Sequence, residues 1–313
     1  EQRIAAMRAV ARAGLPLDRF MVGTGAAALA DACALTAEAK ALGFAGALLL
    51  PPFYYKGVDA DGVVDYVEAL IGKVGAGGLK LYLYHFPANS GVPYTPEIVA
   101  RLRKAHPEQV LGLKDSSGDL AYSAGLARDL PGFAVFPSAE ASLGRAAELG
   151  FAGCISATAN VTGPYAQIAW SGSDAAAKKE ALDNAVDIRA IIARFPLVAS
   201  IKTALALLTG RDGWARTMPP LTALTAKQKA ELAEALSTSA LGKVAAKSGQ
   251  FSAAGFTPAD GSDGESGHPG QGGGGGGASK GNDICVGASG GAGGMGGGGG
   301  GPGKGGLGGG ASV

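Results

Sequence analysis

The chain has 313 residues, of which 47% are hydrophobic, enough for one α/β barrel or two ordinary domains. Its 27 Lys and Arg residues balance 26 Asp and Glu residues, so a general basic field for nucleic acid and an acidic solvating chain are both disfavoured. Of the 54 glycines, 30 lie in residues 246–313, so the composition changes abruptly near residue 245.

In chain order, short apolar segments alternate with helical patterns from residue 1 to residue 162. The apolar segments are nearly free of polar residues, as is typical of parallel strands buried on both faces. Their spacing of about 25–30 residues predicts an α/β fold, either a (β/α)8 barrel or a doubly wound sheet. The predicted strands are 19–22, 45–50, 79–86, 110–113, 133–136 and 153–157, and the predicted helices are 1–13, 27–42, 60–74, one beginning after the N-cap Thr95, 119–129 and 139–149.

The strand pattern ends near residue 163, and helices are predicted at 174–194, 198–209 and 225–240. We therefore divide the chain into a barrel-like domain (1–162), a helical segment (163–245) and a Gly-rich tail (246–313). The tail has few apolar residues and is predicted to be disordered. It contains no Arg, which disfavours RNA binding of the Arg-Gly-Gly type.

The chain's three cysteines and three histidines are scattered, so we predict neither a disulfide framework nor a metal site. No apolar run approaches the roughly 20 residues of a membrane span. We expect no signal peptide, no membrane partner and a cytoplasmic location.

Lys114 directly follows the apolar strand that begins at Val110. Desolvation lowers the pKa of an ammonium, and a neutral amine can attack a carbonyl carbon to form a Schiff base. Active sites of barrels also lie at the carboxyl ends of the strands. Lys114 is therefore a candidate nucleophile, and the alternative is a lysine that only extends from a strand end into water.

Tyr84 lies near the end of the preceding strand and shares a face with Tyr82 by alternation. A phenol in this position can move protons or hold a carboxylate, although a rim tyrosine with no such role fits the pattern too. Because Tyr84 and Lys114 end adjacent strands, each strengthens the interpretation of the other.

Two further loops follow strands. Residues 23–28 (GTGAAA) match a loose dinucleotide pattern, but no acidic residue stands at the end of the next strand to hold a ribose, so a tight turn is favoured. Residues 51–57 (PPFYYKG) form an aromatic loop, suited to the wall of a site, a subunit contact or ordinary packing.

At these positions the chain resembles the dihydrodipicolinate synthase and N-acetylneuraminate lyase family of pyruvate-dependent class I aldolases. The similarity covers about residues 1–241, with matching blocks in the same order as in the family. The blocks are 23–25 (GTG), 52–55 (PFYY), 84–91 (YHFPANSG), 112–119 (GLKDSSGD) and 153–161 (GCISATANV).

The resemblance implies a role for each matched site residue. Lys114 would form the Schiff base with pyruvate or another 2-keto acid, and Tyr84 would relay protons. Ile155 would border the keto acid, while Asn89 and Ser90 in the 84–91 block would bind substrate. Tyr55 would reach a neighbouring subunit's site in a homo-oligomer, usually a tetramer. The covalent imine on Lys114 requires no metal and no diffusible cofactor.

The chain departs from the family at two places. An early strand ending in a Gly-Thr-Thr-Gly-Glu-like loop is not found, so the six predicted strands would be strands 3 to 8 of a (β/α)8 TIM barrel that lacks its first two strands. Asn89 stands where the synthases usually carry an arginine, which is more like the sugar-acid lyases. The expected function is a Schiff-base lyase or aldolase; the alternatives are the synthase of lysine biosynthesis itself and a non-catalytic barrel remnant.

Overall fold

Five parallel strands form one sheet in residues 1–155, the first of two compact units into which the chain divides. The computed structural model describes residues 1–242, 249–252 and 255–258. The strands lie side by side in chain order, as expected for successive right-handed βαβ connections. They are β1 (Met21–Gly23), β2 (Gly46–Leu49), β3 (Leu81–His85), β4 (Val110–Asp115) and β5 (Ala134–Pro137).

Helices connect these strands, and the helix Pro96–Ala105 begins after Thr95, the one N-cap predicted from the sequence. The Thr95 hydroxyl accepts the Ile98 N–H at 3.3 Å. The Asp119 carboxylate caps the helix that follows β4. The helices of the first unit are α1 (Gln2–Arg12), α2 (Leu29–Leu42), α3 (Ala60–Val74), α4 (Pro87–Ser90), α5 (Pro96–Ala105), α6 (Leu120–Asp129) and α7 (Ala146–Leu149). A 3-10 turn (Glu140–Arg145) precedes α7, so the single helix predicted at 139–149 is replaced by two short pieces.

The pairing of β3 with β4 contains a bulge. Leu81 lies beside Val110 and Tyr82 beside Gly112, so Leu111 has no partner in β3. Beyond the bulge the register continues without interruption and places Tyr84 beside Lys114. Bulges commonly re-aim side chains next to functional sites.

One face of the sheet carries an apolar cluster of Met21, Leu48, Tyr82, Phe136 and Ile155. Gly112 lies against this cluster because the backbone of β5 approaches it closely. A Cβ at this position would be 2.8 Å from the Tyr82 ring and closer still to the Ala134 carbonyl oxygen. Only glycine fits between the two strands without a displacement.

The prediction of a sixth strand at 153–157 is wrong, because this segment does not form a regular strand. Gly153 makes a single bridge, while Ala152 and Ile155 donate backbone N–H groups to Val135 and Pro137 of β5, each at 3.0 Å. Three residues along this segment therefore match two residues of β5, which interrupts the ladder. The segment still continues the parallel arrangement at the edge of β5.

The second unit begins at Ser156 and is helical. The sequence pattern missed its first helix, which has Pro164 in its interior, a residue that normally argues against a helix. Its apolar core includes Ile188, Ile201 and Leu232. Its helices are α8 (Ala159–Ser171), α9 (Ala175–Ile192), α10 (Leu197–Thr209) and α11 (Ala226–Ser237), and two antiparallel strands follow, β6 (Gly249–Ser252) and β7 (Gly255–Pro258).

The α/β class is confirmed. Five parallel strands fit a (β/α)8 barrel that lacks some of its strands and is followed by helices. Apart from β6 and β7, the predicted Gly-rich tail lies outside the described residues, and the predicted domain boundaries at 162 and 245 stay predictions. Among the described residues, no single helix is long and apolar enough to cross a membrane; α9 and α10 meet that criterion only as a pair, bent by 115°.

Candidate active site

Lys114 and Tyr84 lie together at the carboxyl edge of the sheet. They are direct neighbours in the register of β3 and β4, and the Lys114 Nζ atom is 4.1 Å from the centre of the Tyr84 ring. Both side chains are half-buried and share the face that carries Tyr82 and Phe136. The structure thus brings the two candidate catalytic residues into direct contact.

Ser116, whose hydroxyl meets Tyr84, was quoted in the sequence block but given no role there. Its Oγ atom donates a hydrogen bond to the Tyr84 Oη atom at 3.4 Å, and its backbone N–H donates to the His85 carbonyl at 2.8 Å. The backbone bond extends the β3–β4 ladder by one residue and fixes the place of this hydroxyl. The signal available in the sequence was its position two residues after Lys114, which puts it on the same face.

Asp115 lies on the opposite face of β4 and organises the turn that follows. Its buried carboxylate accepts the Ser117 N–H at 2.7 Å and the Ser123 hydroxyl at 2.8 Å. Because Lys114 and Asp115 are consecutive in a strand, they point to opposite sides of the sheet. The Asp115 carboxylate therefore anchors the end of β4 on the face opposite the candidate site, while the Lys114 amine lies on the face of the site.

His85, the neighbour of Asp115 in β3, is also buried on this rear face. Its Nδ1 atom accepts the Tyr94 N–H at 3.1 Å, and its ring stacks on Tyr122 at 4.4 Å between centroids. Burial lowers the pKa of His85 below its usual 6.5, against the smaller opposing effects of Asp115 and Asp119. A neutral His85 is consistent with its role as a hydrogen-bond acceptor.

On the face of the sheet that carries Lys114, here called the front face, burial raises the pKa of Tyr82 to about 12. The Tyr82 phenol therefore stays protonated at neutral pH. Tyr82 is only 2% exposed and lies two residues before Tyr84 in β3. Of the two tyrosines on this face, Tyr84 is the one beside the amine.

The remaining predicted site residues lie on loops and segments at the same edge. Tyr55, in the loop after β2, is 72% exposed and packs edge-on against Tyr54 at 5.2 Å between ring centres. Asn89 is exposed in α4, directly after β3. Ser90 is buried, and its hydroxyl is used within its own turn, donating to the Val92 carbonyl at 2.7 Å. Ile155 is buried in the front-face cluster beyond β5.

Within residues 1–242 and the two described strands beyond them, no group of three or more His, Cys, Asp or Glu side chains is placed to hold a metal ion. The hydroxyls of Tyr84 and Ser116 lie on the same face as Lys114, and each is able to donate and to accept a hydrogen bond. A primary amine thus lies against a phenol at the carboxyl edge of a parallel sheet, the edge at which barrel enzymes carry their active sites.

The chain belongs to the dihydrodipicolinate synthetase family, whose sequence profile matches residues 17–239. A similar protein is an uncharacterised DapA-like lyase of Chloroflexus aurantiacus, 36% identical over 172 residues, which are 54% of this chain and 57% of that protein. Another is a 4-hydroxy-tetrahydrodipicolinate synthase of Thermus thermophilus, 37% identical over 142 residues (44% and 45%). The chain spans about half the length of the curated relatives that it matches.

Solved structures agree with this assignment. A dihydrodipicolinate synthase from Agrobacterium tumefaciens superposes with a TM-score of 0.68 at 28% identity, covering 76% of this chain and 81% of that one. YagE, a prophage protein of the dihydrodipicolinic acid synthase family from E. coli K12 solved in complex with pyruvate, gives 0.67 at 26% identity (75% and 79%). The family predicted from the sequence blocks is confirmed.

Proposed function

We propose that this protein is a Schiff-base-forming lyase or aldolase that acts on pyruvate or a related 2-keto acid. The observation that carries the proposal is the contact of Lys114 Nζ with the Tyr84 ring at 4.1 Å, at the carboxyl edge of the sheet. Membership of the family supports it, as does the relative solved with pyruvate.

In this proposal, the Lys114 amine attacks the keto carbon of the substrate. A C–N bond forms, the keto oxygen leaves as water, and a protonated imine results. The imine withdraws electrons from the adjacent carbon, C3. Either C3 loses a proton to give an enamine, whose C3 then attacks the carbonyl carbon of an aldehyde, or the C3–C4 bond breaks while the C4 hydroxyl gives up its proton. The second route releases an aldehyde and leaves an enamine that takes up a proton at C3. Both routes end at an imine on Lys114. Hydrolysis then releases the keto acid and restores Lys114, so no diffusible cofactor takes part.

Tyr84 is the group proposed to carry protons in these steps. Its oxygen lies 3.4 Å from the Ser116 hydroxyl, which provides a second site for the proton. Its ring faces the nitrogen of Lys114, and a π face stabilises a cation such as the protonated imine. The Tyr84 side chain thus stabilises the positive charge through its ring and transfers protons through its hydroxyl.

Ile155, Asn89, Ser90 and Tyr55 are proposed to bind substrate. Ile155 supplies a buried apolar wall, while the exposed Asn89 supplies an uncharged amide. The Ser90 hydroxyl is engaged by Val92, so Ser90 is proposed to act through its backbone and the shape of its turn. The exposure of Tyr55 supports a contact with a second copy of the chain in a homo-oligomer.

The test is borohydride reduction in the presence of pyruvate, read by peptide mass spectrometry. We expect an adduct at Lys114 that disappears in Lys114→Ala. Lys80→Ala is the matched control, because Lys80 is exposed and precedes β3 at the opposite edge of the sheet. An adduct that persists in Lys114→Ala contradicts the proposal. No adduct in folded wild-type protein favours a non-catalytic remnant instead.

A second candidate is the synthase reaction of lysine biosynthesis, favoured by the similarity to proteins named 4-hydroxy-tetrahydrodipicolinate synthase. Asn89 favours the lyase, because an amide does not replace a cation that pairs with a carboxylate. A panel of aldehydes with and without a carboxylate separates the two. The lyase proposal expects neutral polyhydroxylated aldehydes to react better, and Asn89→Arg to shift the preference towards carboxylated ones.

A further inference from the structure

Lys56 joins two loops at the carboxyl edge of the sheet. Its Nζ atom donates to the carbonyl oxygens of Phe53 and Ser90, each at 2.6 Å. Phe53 belongs to the loop after β2, and Ser90 belongs to α4, which follows β3. Because hydrogen bonds from an ammonium are short and strong, one side chain fixes the separation of the two loops.

Gly91 shows how closely the Lys56 side chain is seated. Its backbone φ of +65° is a conformation that residues other than glycine rarely adopt. A Cβ added there would lie 2.8 to 3.0 Å from the Cδ, Nζ and Cε atoms of Lys56. The stem of Lys56 therefore packs against the bare backbone of Gly91, and both contacts hold the same loop.

The two loops carry residues that the proposed function assigns to substrate. Tyr55 precedes Lys56 directly, and Asn89 precedes Ser90. Helix α4 follows β3 after one residue, Phe86, whose carbonyl accepts the Asn89 and Ser90 N–H groups at 3.0 and 2.8 Å and closes the first turn of the helix. Lys56 thus connects the loop after β2 to a hydrogen-bonded turn that follows the strand ending at Tyr84 and His85.

We propose that Lys56 is a positioning residue, which holds Tyr55 and Asn89 in place before substrate arrives. The inference rests on the proposed function for the role of those two residues. Loops that are ordered in advance lose less conformational entropy on binding, so the clamp favours binding of the aldehyde that Asn89 is proposed to select. The bond-making steps belong to Lys114 and Tyr84, which lie on the strands and do not depend on Lys56.

Lys40 provides a matched control within the same chain. Its Nζ atom also donates to two carbonyl oxygens, those of Val74 at 3.2 Å and Gly75 at 2.8 Å. These carbonyls lie at the end of α3, before β3 begins, and so on the side of the sheet opposite Lys114. Lys40→Met removes the same kind of interaction as Lys56→Met without touching either loop of the site.

Hydrogen–deuterium exchange in the full chain tests whether the clamp couples the two loops. In Lys56→Met we expect the amides of both 53–58 and 87–91 to exchange at least about fivefold faster, and in Lys40→Met neither segment to change. Gly91→Ala is expected to speed exchange in 53–58, because it displaces Lys56. Gly43→Ala is its control, since Gly43 has a φ of +84° but open space around it. A response confined to 53–58 in Lys56→Met overturns the proposal.

The aldehyde dependence of condensation with pyruvate tests the positioning role. At saturating pyruvate we expect the half-saturating concentration of glyceraldehyde, a neutral polyhydroxylated aldehyde, to rise about fivefold in Lys56→Met, the effect of ordering a flexible side chain on binding, while the limiting rate stays unchanged. Lys40→Met keeps both values. An unchanged half-saturating concentration in Lys56→Met overturns the positioning role alone. No adduct in the wild-type chain overturns the proposed function and this role with it.

Discussion

The Ser123 hydroxyl donates to the Asp115 carboxylate at 2.8 Å, entirely within the protein and on the face of the sheet opposite Lys114. The same carboxylate accepts the Ser117 N–H, so one buried group ties α6 and the turn after β4 to the strand. The position of Lys114 therefore depends on an interaction that substrate never reaches.

Asp115→Ala is expected to lower the free energy of unfolding by about 2–3 kcal/mol, because it leaves a buried hydroxyl and a backbone N–H without their acceptor. Ser123→Ala, which removes a single bond, is expected to cost about 1 kcal/mol. Urea denaturation followed by circular dichroism measures both. Asp65→Ala, at an exposed site of α3, serves as the control and should stay within about 0.5 kcal/mol. An Asp115→Ala value in that range contradicts the prediction.

Tyr84→Phe keeps the ring over Lys114 and removes the hydroxyl that meets Ser116. We expect imine trapping to persist, while exchange of the C3 hydrogens of pyruvate with D2O slows about 100-fold, as is typical for loss of a general acid–base group. Proton NMR of pyruvate follows the exchange. Tyr82→Phe changes a buried phenol on the same face and is expected to leave the rate unaltered. Exchange at the wild-type rate in Tyr84→Phe would remove Tyr84 from the mechanism.

Gly112→Ala places a methyl group against the Tyr82 ring and the Ala134 carbonyl. Overpacking between β4 and β5 is expected to lower the free energy of unfolding by about 3 kcal/mol. Gly125→Ala, in α6 with open space around it, is expected to raise it by about 0.5–1 kcal/mol through helix propensity. Thermal unfolding compares the two variants, and equal melting temperatures would show that β4 and β5 are able to separate.

The pH dependence of stability is expected to report on His85. Its pKa is lowered in the folded protein by burial, so below its usual 6.5 the unfolded chain binds a proton that the folded chain does not. Stability is therefore lost as the pH falls below about 6.5, and the loss ends below the folded-state pKa. His85→Gln removes this contribution, and its unfolding free energy is expected to vary less between pH 7 and 5. A slope in His85→Gln identical to that of the wild-type protein would exclude the assignment.

The sequence predicted those features that depend on local pattern. Apolar runs located β1 to β5, and strand-end positions drew attention to Lys114 and Tyr84 before their contact was seen. Alternation was also sufficient to put Tyr82 and Tyr84 on one face. These features need only residues close together in the chain, which is why periodicity and spacing reveal them.

Features that depend on neighbouring segments were missed. Helix α8 contains Pro164, and its interruption of the helical pattern is compensated by packing within its own unit. The segment after Phe151 was predicted as a strand because it is apolar, but its extra residue relative to β5 breaks the ladder. The contact of Lys56 with Ser90 joins positions 34 residues apart, and no local pattern encodes it.

Leu111, which has no partner in β3, bears on how this sequence tolerates changes of length. Loss of that one residue would leave Tyr84 beside Lys114, since the pairs on both sides of it would remain matched. Loss of Leu113 would instead turn Lys114 towards the helices and bring Asp115 into the barrel interior. Single-residue deletions are thus expected to preserve function at the amino end of β4 and to abolish it at the carboxyl end. Evolutionary changes in the length of β4 should therefore be confined to the first half of the strand.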